Sequence, residues 1–484
     1  MTSENLRHTT LVNLAWKYAQ TFGTQILKLV VSIVLARLLT PSDFGFIALI
    51  TVFTAILSVF VDGGFSSSLI QKKDADELDF SSIFWVNMAI CLVLYAGMFL
   101  AAPAIAVFYD NEGLTPVIRV LCLTIVISGL SGVQTAYVSH NLKFKKTFVS
   151  GIVSAILSSI VGIGLALMGF GVWALVWQQI VLSSVEAVVL WIISGWRPRF
   201  AFSLARVKSL FSYGWKLFAA NLLHAFYTNL RALIVGKWYS AADLGLFDQG
   251  HKFPEVVVRN VDTSISSVMF PVMSKSQDDP DRVRKITRQT IMVSSYIMWP
   301  LMMGLAGTST VLVPLLLGDQ WVDCVPYLMV FCFALGFQPM QTANLSAMKA
   351  MGRSDVFFAL EIIKKIIAIA LVLATAWISV FALCISDLVY RIISTVINAF
   401  PNRKLLGYSY FQQVRDVAPS FLLAFFMGAV VYFIPWPDVN LALVFLAQFA
   451  TGVAIYLGGS ALFKLEGFEY VKALIKDYIG KGNA

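Results

Sequence analysis

Fourteen helix-length runs of predominantly apolar residues cover most of this 484-residue chain, and they constrain its fold more than any motif does. They are drawn at 11–39, 44–70, 81–108, 115–139, 148–168, 171–194 and 213–237, then at 253–274, 290–317, 325–348, 356–376, 379–400, 417–435 and 439–463. With 58% hydrophobic and 13% charged residues, the composition lies far from the roughly 45–50% and 25% of a soluble domain. A water-soluble fold is excluded. A bilayer core about 30 Å thick offers the backbone no hydrogen-bond partner, so each run must satisfy its own peptide groups as a helix. Strands of a membrane barrel would need alternating polarity over about ten residues, which no run shows. The sequence predicts an all-α polytopic membrane protein with 14 transmembrane helices.

Of the 36 Lys and Arg, 24 fall in the termini and even-numbered loops, only Lys252 in the odd-numbered loops, and 11 within the runs. The positive-inside rule then places both termini in the cytoplasm. The net charge of +9 is explained by this topology and gives no reason to expect a nucleic-acid partner. The longest far-side loop, between 237 and 253, is about fifteen residues, too short for a folded external domain. The first run carries Lys17 and Lys28 and no AxA-like site follows it, so it reads as an uncleaved helix. The five cysteines lie in or beside apolar stretches without CxxC or HExxH spacing, so neither a disulfide framework nor a metal or other cofactor is expected. No GxxxxGK[ST] loop occurs, which rules out an ATP-driven pump acting alone.

A shift of 200 lays Arg37-Leu38-Leu39-Thr40-Pro41-Ser42-Asp43-Phe44-Gly45 on Lys237-Trp238-Tyr239-Ser240-Ala241-Ala242-Asp243-Leu244-Gly245. The register continues, with Val61-Asp62 on Val261-Asp262 and Ser66-Ser67 on Ser266-Ser267. This suggests two six-helix lobes in parallel repeat, 1–200 and 201–401, followed by two added helices and a tail over 402–484. Three cytoplasmic segments read as surface helices: 199–211, 408–415 and, most clearly, 468–481, where Phe468, Val471, Ile475 and Ile479 alternate with Lys472, Lys476 and Lys481.

The 11 basic residues inside the runs need a physical reason, since each costs on the order of 2.5–3.5 kcal/mol at a helix centre. Those near helix ends can snorkel to the interface, whereas Lys28, Lys364, Lys365 and Arg391 sit deep and Arg231 sits at intermediate depth. Lys17 and Lys28 share a face of the first helix, and His224 and Arg231 share one on the seventh. Asp387 with Arg391 and Glu361 with Lys365 are spaced as intrahelical ion pairs, so those cations are as readily structural as substrate-binding. A cationic lining suits an anionic ligand, because phosphate oxygens supply the bonds a desolvated donor lacks. The candidate substrate-binding set is Lys17, Lys28, His224, Arg231, Arg259, Lys364, Lys365 and Arg391. Asp62 and Asp262, equivalent in the repeat, are candidates for ion coupling or for local caps.

With fourteen runs, the repeat and the segments ARLLTPSDFG (36–45), GFSSSLIQ (64–71) and LFSYGWK (210–216), the chain resembles the polysaccharide-transporter branch of the multidrug/oligosaccharidyl-lipid/polysaccharide exporter superfamily. It looks most like Wzx flippases of the colanic-acid and teichuronic-acid exporter type. The resemblance implies alternating-access flipping of an undecaprenyl-diphosphate-linked oligosaccharide across a bacterial inner membrane. It also implies membrane lipids and polysaccharide-assembly machinery as partners, and a monomer as the working unit. A cation-coupled multidrug exporter of the same fold would place carboxylates deep in the cavity. A membrane polymerase or ligase would present a substantial external loop, and a scaffold would not need buried charge. Asp74-Ala75-Asp76 has the DxD pattern of a sugar-nucleotide metal site, but its charged neighbours favour a solvated cluster.

Overall fold

A computed structural model describes residues 23–62, 65–72, 74–141, 143–437 and 439–482. Among them every regular element is helical, and the chain forms two compact units divided between Gly245 and Leu246.

The first unit opens with a helix whose described part spans 23–38 (α1). It continues with α2 (Pro41–Asp62), α3 (Phe65–Gln71), α4 (Glu77–Phe108), α5 (Leu114–Leu121), α6 (Leu123–His140), α7 (Phe144–Leu167), α8 (Val172–Ile193) and α9 (Leu204–Trp238). Helix α10 (Ala241–Ser274) leads into the second unit, which holds α11 (Pro280–Leu317), α12 (Val325–Leu335), α13 (Gln338–Ala350), α14 (Ser354–Thr375), α15 (Val380–Leu406), α16 (Tyr410–Phe433), α17 (Leu441–Leu462) and α18 (Glu466–Gly482). Ten segments among the described residues are long and apolar enough to cross a membrane. Outside those ten lie α1, described only in part, and α9, α10 and α14. These three are long enough to span, but they carry Arg231, Asp262 or the Glu361, Lys364 and Lys365 group. Charge, not length, sets them apart.

Close helix packing follows from small residues at helical spacing. On α7, Ser150, Ser154, Ser158, Gly162 and Ala166 recur every four residues and are buried, and a Cβ on Gly162 would come within 2.9 Å of Gln178 on α8. Without a hydrophobic drive between helices in lipid, such stripes hold a bundle together by letting backbones approach. Gly307 on α11 and Gly428 on α16 do the same. A Cβ on the former would lie 2.6 Å from the Gly428 carbonyl oxygen, and one on the latter 2.7 Å from that of Met303.

The segments that align at a shift of 200 adopt the same turn. Asp43 Oδ2 accepts from the Thr40 N–H at 3.0 Å and its hydroxyl at 2.7 Å, while Asp243 Oδ2 accepts from the Ser240 N–H at 3.1 Å and its hydroxyl at 2.7 Å. Each is a helix N-cap, for α2 and α10 respectively. The two turns also meet reciprocally within the first unit. A Cβ on Gly45 would fall 1.7 Å from the Ala241 carbonyl oxygen, and one on Gly245 would fall 2.0 Å from that of Pro41.

Two of the expected spans are broken. The run over 115–139 bends at Cys122 between α5 and α6, and that over 325–348 breaks at Gly336 and Phe337 between α12 and α13. Pro339 cannot donate to the preceding turn, and the Trp299 ring occupies the space a Gly336 Cβ would need, 2.4 Å away. Two expected surface segments are instead the first turns of spanning helices. Residues 204–211 run without interruption into α9, 35 residues and roughly 50 Å long, and the 408–415 segment is capped by Ser409 and continues as α16. The tail forms α18 as expected, and Phe468 packs against Tyr296 of α11.

At its basic end the first unit is fastened by contacts between α3 and the first turns of α9. The Ser68 hydroxyl donates to the Leu210 carbonyl at 3.2 Å, and Phe65 lies 5.8 Å from Phe211. Asp76 caps α4 in a reciprocal box with Asp79. The Asp79 N–H, with help from Arg206 and Lys72, holds the Asp76 carboxyl below its usual range. Asp79 itself is fully buried, pairs with Lys72 and lies 3.5 Å from Arg206. The second carboxylate of the DxD pattern is therefore used as a helix cap, which leaves it no role in holding a metal.

Two outcomes follow from this packing. Gly45→Ala or Gly245→Ala should cost about 3 kcal/mol, the upper end for overpacking, because a carbonyl cannot swing aside as a side chain can. Gly164→Ala, with nothing within 4 Å of its Cβ, should be neutral in the same thermal melt in detergent. Asp79→Asn should lower stability by about 1.5–3 kcal/mol, the value of a charged hydrogen bond, and a melt unchanged from the parent would refute the fastening role.

Candidate functional site

The densest polar constellation at membrane depth lies in the second unit, on α10, α13 and α15. Arg391 of α15 donates through Nε to Asp387 Oδ2 at 2.9 Å and through Nη1 to Gln338 Oε1 at 3.1 Å. Gln338 and Thr342, one turn apart on α13, flank Asp262 of α10. The break before α13 makes this possible, because it starts a new helix at Gln338 and brings its first turns to the charged face of α15. Gln341 continues the set. Its amide donates to the Arg391 carbonyl and the Thr395 hydroxyl, both at 3.1 Å, and its oxygen accepts from Ser394 at 3.3 Å. On α10, His251 Nδ1 lies 3.3 Å from Glu255, whose charge is also felt by Arg259 and Arg391.

The expected Asp387–Arg391 pair is present, and Asp387 is buried. The other expected pair is corrected. Glu361 binds Lys364, three residues on, in place of the i,i+4 partner Lys365, and Lys364 is buried with that carboxylate as counter-charge. A helical turn of 3.6 residues leaves both positions within reach of Glu361, so spacing alone could not choose between them. Lys364, deep in its run as the sequence suggested, thus has a counter-charge on its own helix. Lys365 is half-buried and Arg259 exposed.

In the first unit Lys28 is exposed on α1 and lies near enough to Glu186 of α8 for the charges to interact. Arg231 is half-buried on α9 and His224 exposed, seven residues before it. Lys17 lies outside the described residues, as does the side chain of Asp62. Two cations near helix ends have local roles. Lys237 bonds the Phe108 carbonyl and Asp110, and Arg119 donates to the Phe99 carbonyl at 3.2 Å with the Phe99 ring 4.2 Å away. These are interfacial anchors.

Sequence reasoning missed Gln338, Gln341 and Thr342. Their signal is a polar face at i, i+3 and i+4 inside an apolar run, which neutral side chains make easy to pass over. Among the described residues no group of three or more His, Cys, Asp or Glu side chains could hold a metal ion. The five cysteines are buried and free.

A second feature of this unit is an apolar groove of about 400 Å³ along α11, α16 and α17. Leu301, Leu312, Val431, Phe445, Phe449 and Val453 are among its lining residues.

Comparison with known proteins agrees with this architecture. The chain is 26% identical over 444 residues to the lipopolysaccharide biosynthesis protein WzxC of Escherichia coli, covering 88% of this chain and 89% of that one. It is 24% identical to the succinoglycan biosynthesis transport protein ExoT of Rhizobium meliloti, covering 86% and 82%. With the teichuronic acid biosynthesis protein TuaB of Bacillus subtilis it shares 24% identity over 86% and 87%. Its fold is that of a lipid II flippase MurJ structure in an inward closed conformation, at a TM-score of 0.76 and 16% identity over 93% of this chain and 98% of that one. An inward-facing multidrug resistance transporter of the MATE family also matches, at a TM-score of 0.58, 14% identity and coverage of 79% and 94%. Residues 34–326, more than half of the chain, match the family model described as polysaccharide biosynthesis protein, and this multi-pass helical membrane protein belongs to that family.

Proposed function

We propose that the protein is a flippase, not an enzyme, and that it moves an undecaprenyl-diphosphate-linked oligosaccharide repeat unit across the bacterial inner membrane for polysaccharide biosynthesis. The observation that carries this reading is that the second unit holds both cation-bearing helices, with Arg259 on α10, Lys364 and Lys365 on α14 and Arg391 on α15, and an apolar groove of about 400 Å³. A lipid-linked sugar has the complementary character: a diphosphate for the cations, and a polyprenyl chain for the groove. The names of the relatives, all concerned with polysaccharide or lipopolysaccharide biosynthesis, point the same way.

The lobes 1–200 and 201–401 would alternate access, with 402–484 as an addition and both termini cytoplasmic. Of the candidate substrate-binding residues, Lys28 and Arg231 are the leading contacts for the diphosphate, with Lys17, His224, Arg259 and Lys365 as accessory cations. Lys364 and Arg391, each bonded to a carboxylate on its own helix, would act chiefly by holding their helices in place. Asp262 is the candidate for ion coupling, with Asp62 as its counterpart in the repeat. The protein would act as a monomer alongside the polysaccharide-assembly machinery.

Three variants separate these roles. Lys28→Ala and Arg231→Ala should abolish glycan export with protein abundance near normal, and a lipid-linked glycan that co-purifies with the parent in native mass spectrometry should be lost. Arg391→Gln should instead lower abundance and melting temperature, since it strands Asp387 in a buried site. Normal export by both of the first two variants would sink the cationic assignment. Asp262→Asn should make glycan flipping in proteoliposomes insensitive to an imposed proton or sodium gradient, and a gradient response equal to the parent's would remove Asp262 from coupling.

A further inference from the structure

A cavity of about 1120 Å³ belongs to neither the polar constellation nor the apolar groove. It opens in the second unit where the starts of α11 and α16 meet the α17–α18 connection. The start of α11 carries Arg282, Arg284, Lys285 and Arg288, that of α16 Arg415 and the α17–α18 connection Lys464, a basic bias that points to the cytoplasmic side. Its rim holds Arg284, Arg288, Arg415 and Lys464 against only Asp416 and Glu466. Both carboxylates are taken by Arg288. Its Nε and Nη2 bond Asp416 at 2.8 and 3.0 Å, and Nη2 also reaches Glu466 at 2.9 Å. Asp416 is further fixed by the Tyr408 hydroxyl at 2.7 Å. Arg284, Arg415 and Lys464 have no salt-bridge partner among the described residues, which leaves the rim with a surplus of positive charge.

The rest of the lining is mainly apolar, with Leu422, Leu423, Phe426, Ile455 and Phe463, and includes Gln412 and Ser420. Lys464 adds a second, independent observation. It occupies the left-handed region at φ 47°, directly after the end of α17, in a conformation that glycine usually fills. A lysine kept there under backbone strain is one of the residues that line the cavity.

We infer that this cavity binds one anionic phospholipid of the cytoplasmic leaflet, its phosphate held by Arg284, Arg415 and Lys464 and its acyl chains lying against Leu422, Leu423, Phe426 and Phe463. Charge complementarity favours a phosphodiester, and a basic pocket between helix ends on this side is the physical form that lipid-headgroup sites take. The apolar part of the lining suits hydrocarbon. Because Arg288 ties Glu466 of α18 to Asp416 of α16 at the same rim, the bound lipid would fasten the amphipathic tail to the bundle. The inference does not depend on the transport reading.

The test is native mass spectrometry of the full chain in detergent, titrated with phosphatidylglycerol, with phosphatidylcholine and, separately, with undecaprenyl phosphate. The parent should retain one phosphatidylglycerol at least fivefold more than phosphatidylcholine. The Arg415→Gln/Lys464→Gln variant should lose that preference, and Lys472→Gln/Lys476→Gln, outside the cavity, should keep it. Lys464→Gly removes the charge and relieves the strained backbone, so it should retain less phosphatidylglycerol while melting no lower than the parent. Equal retention of the two phospholipids by the parent, or retention of phosphatidylglycerol by the Arg415/Lys464 variant, would overturn the proposal. Displacement of phosphatidylglycerol by an equal concentration of undecaprenyl phosphate would assign the cavity to the transported lipid, and would overturn it too.

Discussion

A charge at membrane depth must meet a counter-charge, a polar neighbour or water, and most of what distinguishes this molecule follows from that requirement. Arg391 meets it with Asp387 and Gln338, and Lys364 with Glu361. Of the helices that carry these groups, α15 is among the ten apolar spans and α14 is not. Helices α9, α10 and α14 are too charged to count as lipid-facing by composition, and α13 begins at a break that delivers neutral amides to a guanidinium. Polarity and irregular backbone occur together because irregular backbone is tolerated at this depth only beside protein or water.

The second organising feature is the absence of side chains at the tightest points. Gly45 with Ala241, Gly245 with Pro41, and Gly307 with Gly428 are contacts of backbone on backbone, closer than any Cβ would permit. In lipid the gain from bringing apolar side chains together is small, so packing of this kind has to supply what burial supplies in a soluble core. The reciprocal pair at the Thr40 and Ser240 caps is notable because the same local sequence pattern supplies both partners, each turn placing a glycine against the other's first helical carbonyl.

Much of the apparent chemistry of the sequence proves to be architecture. The DxD pattern caps a helix and feeds an ion cluster, and α3 fastens to α9 through Ser68 and Phe65. Two of the intramembrane cations, Lys364 and Arg391, have a carboxylate one turn away as counter-charge.

What the sequence determined by itself is the solvent and the element type. Apolar runs of span length leave the backbone no partner but its own helix, so the all-α membrane fold was legible from composition and run length. The Asp387–Arg391 pair was legible as well, because i,i+4 spacing is local. Tertiary structure decided which neighbour Glu361 takes, that Lys28 faces Glu186 on a helix more than a hundred residues away, and that Gln338 and Thr342 flank Asp262. It also decided where the long runs break. The physical reason is common to all of these: a helix fixes the angle between its own side chains, but which helix stands opposite is set by packing that no local spacing records.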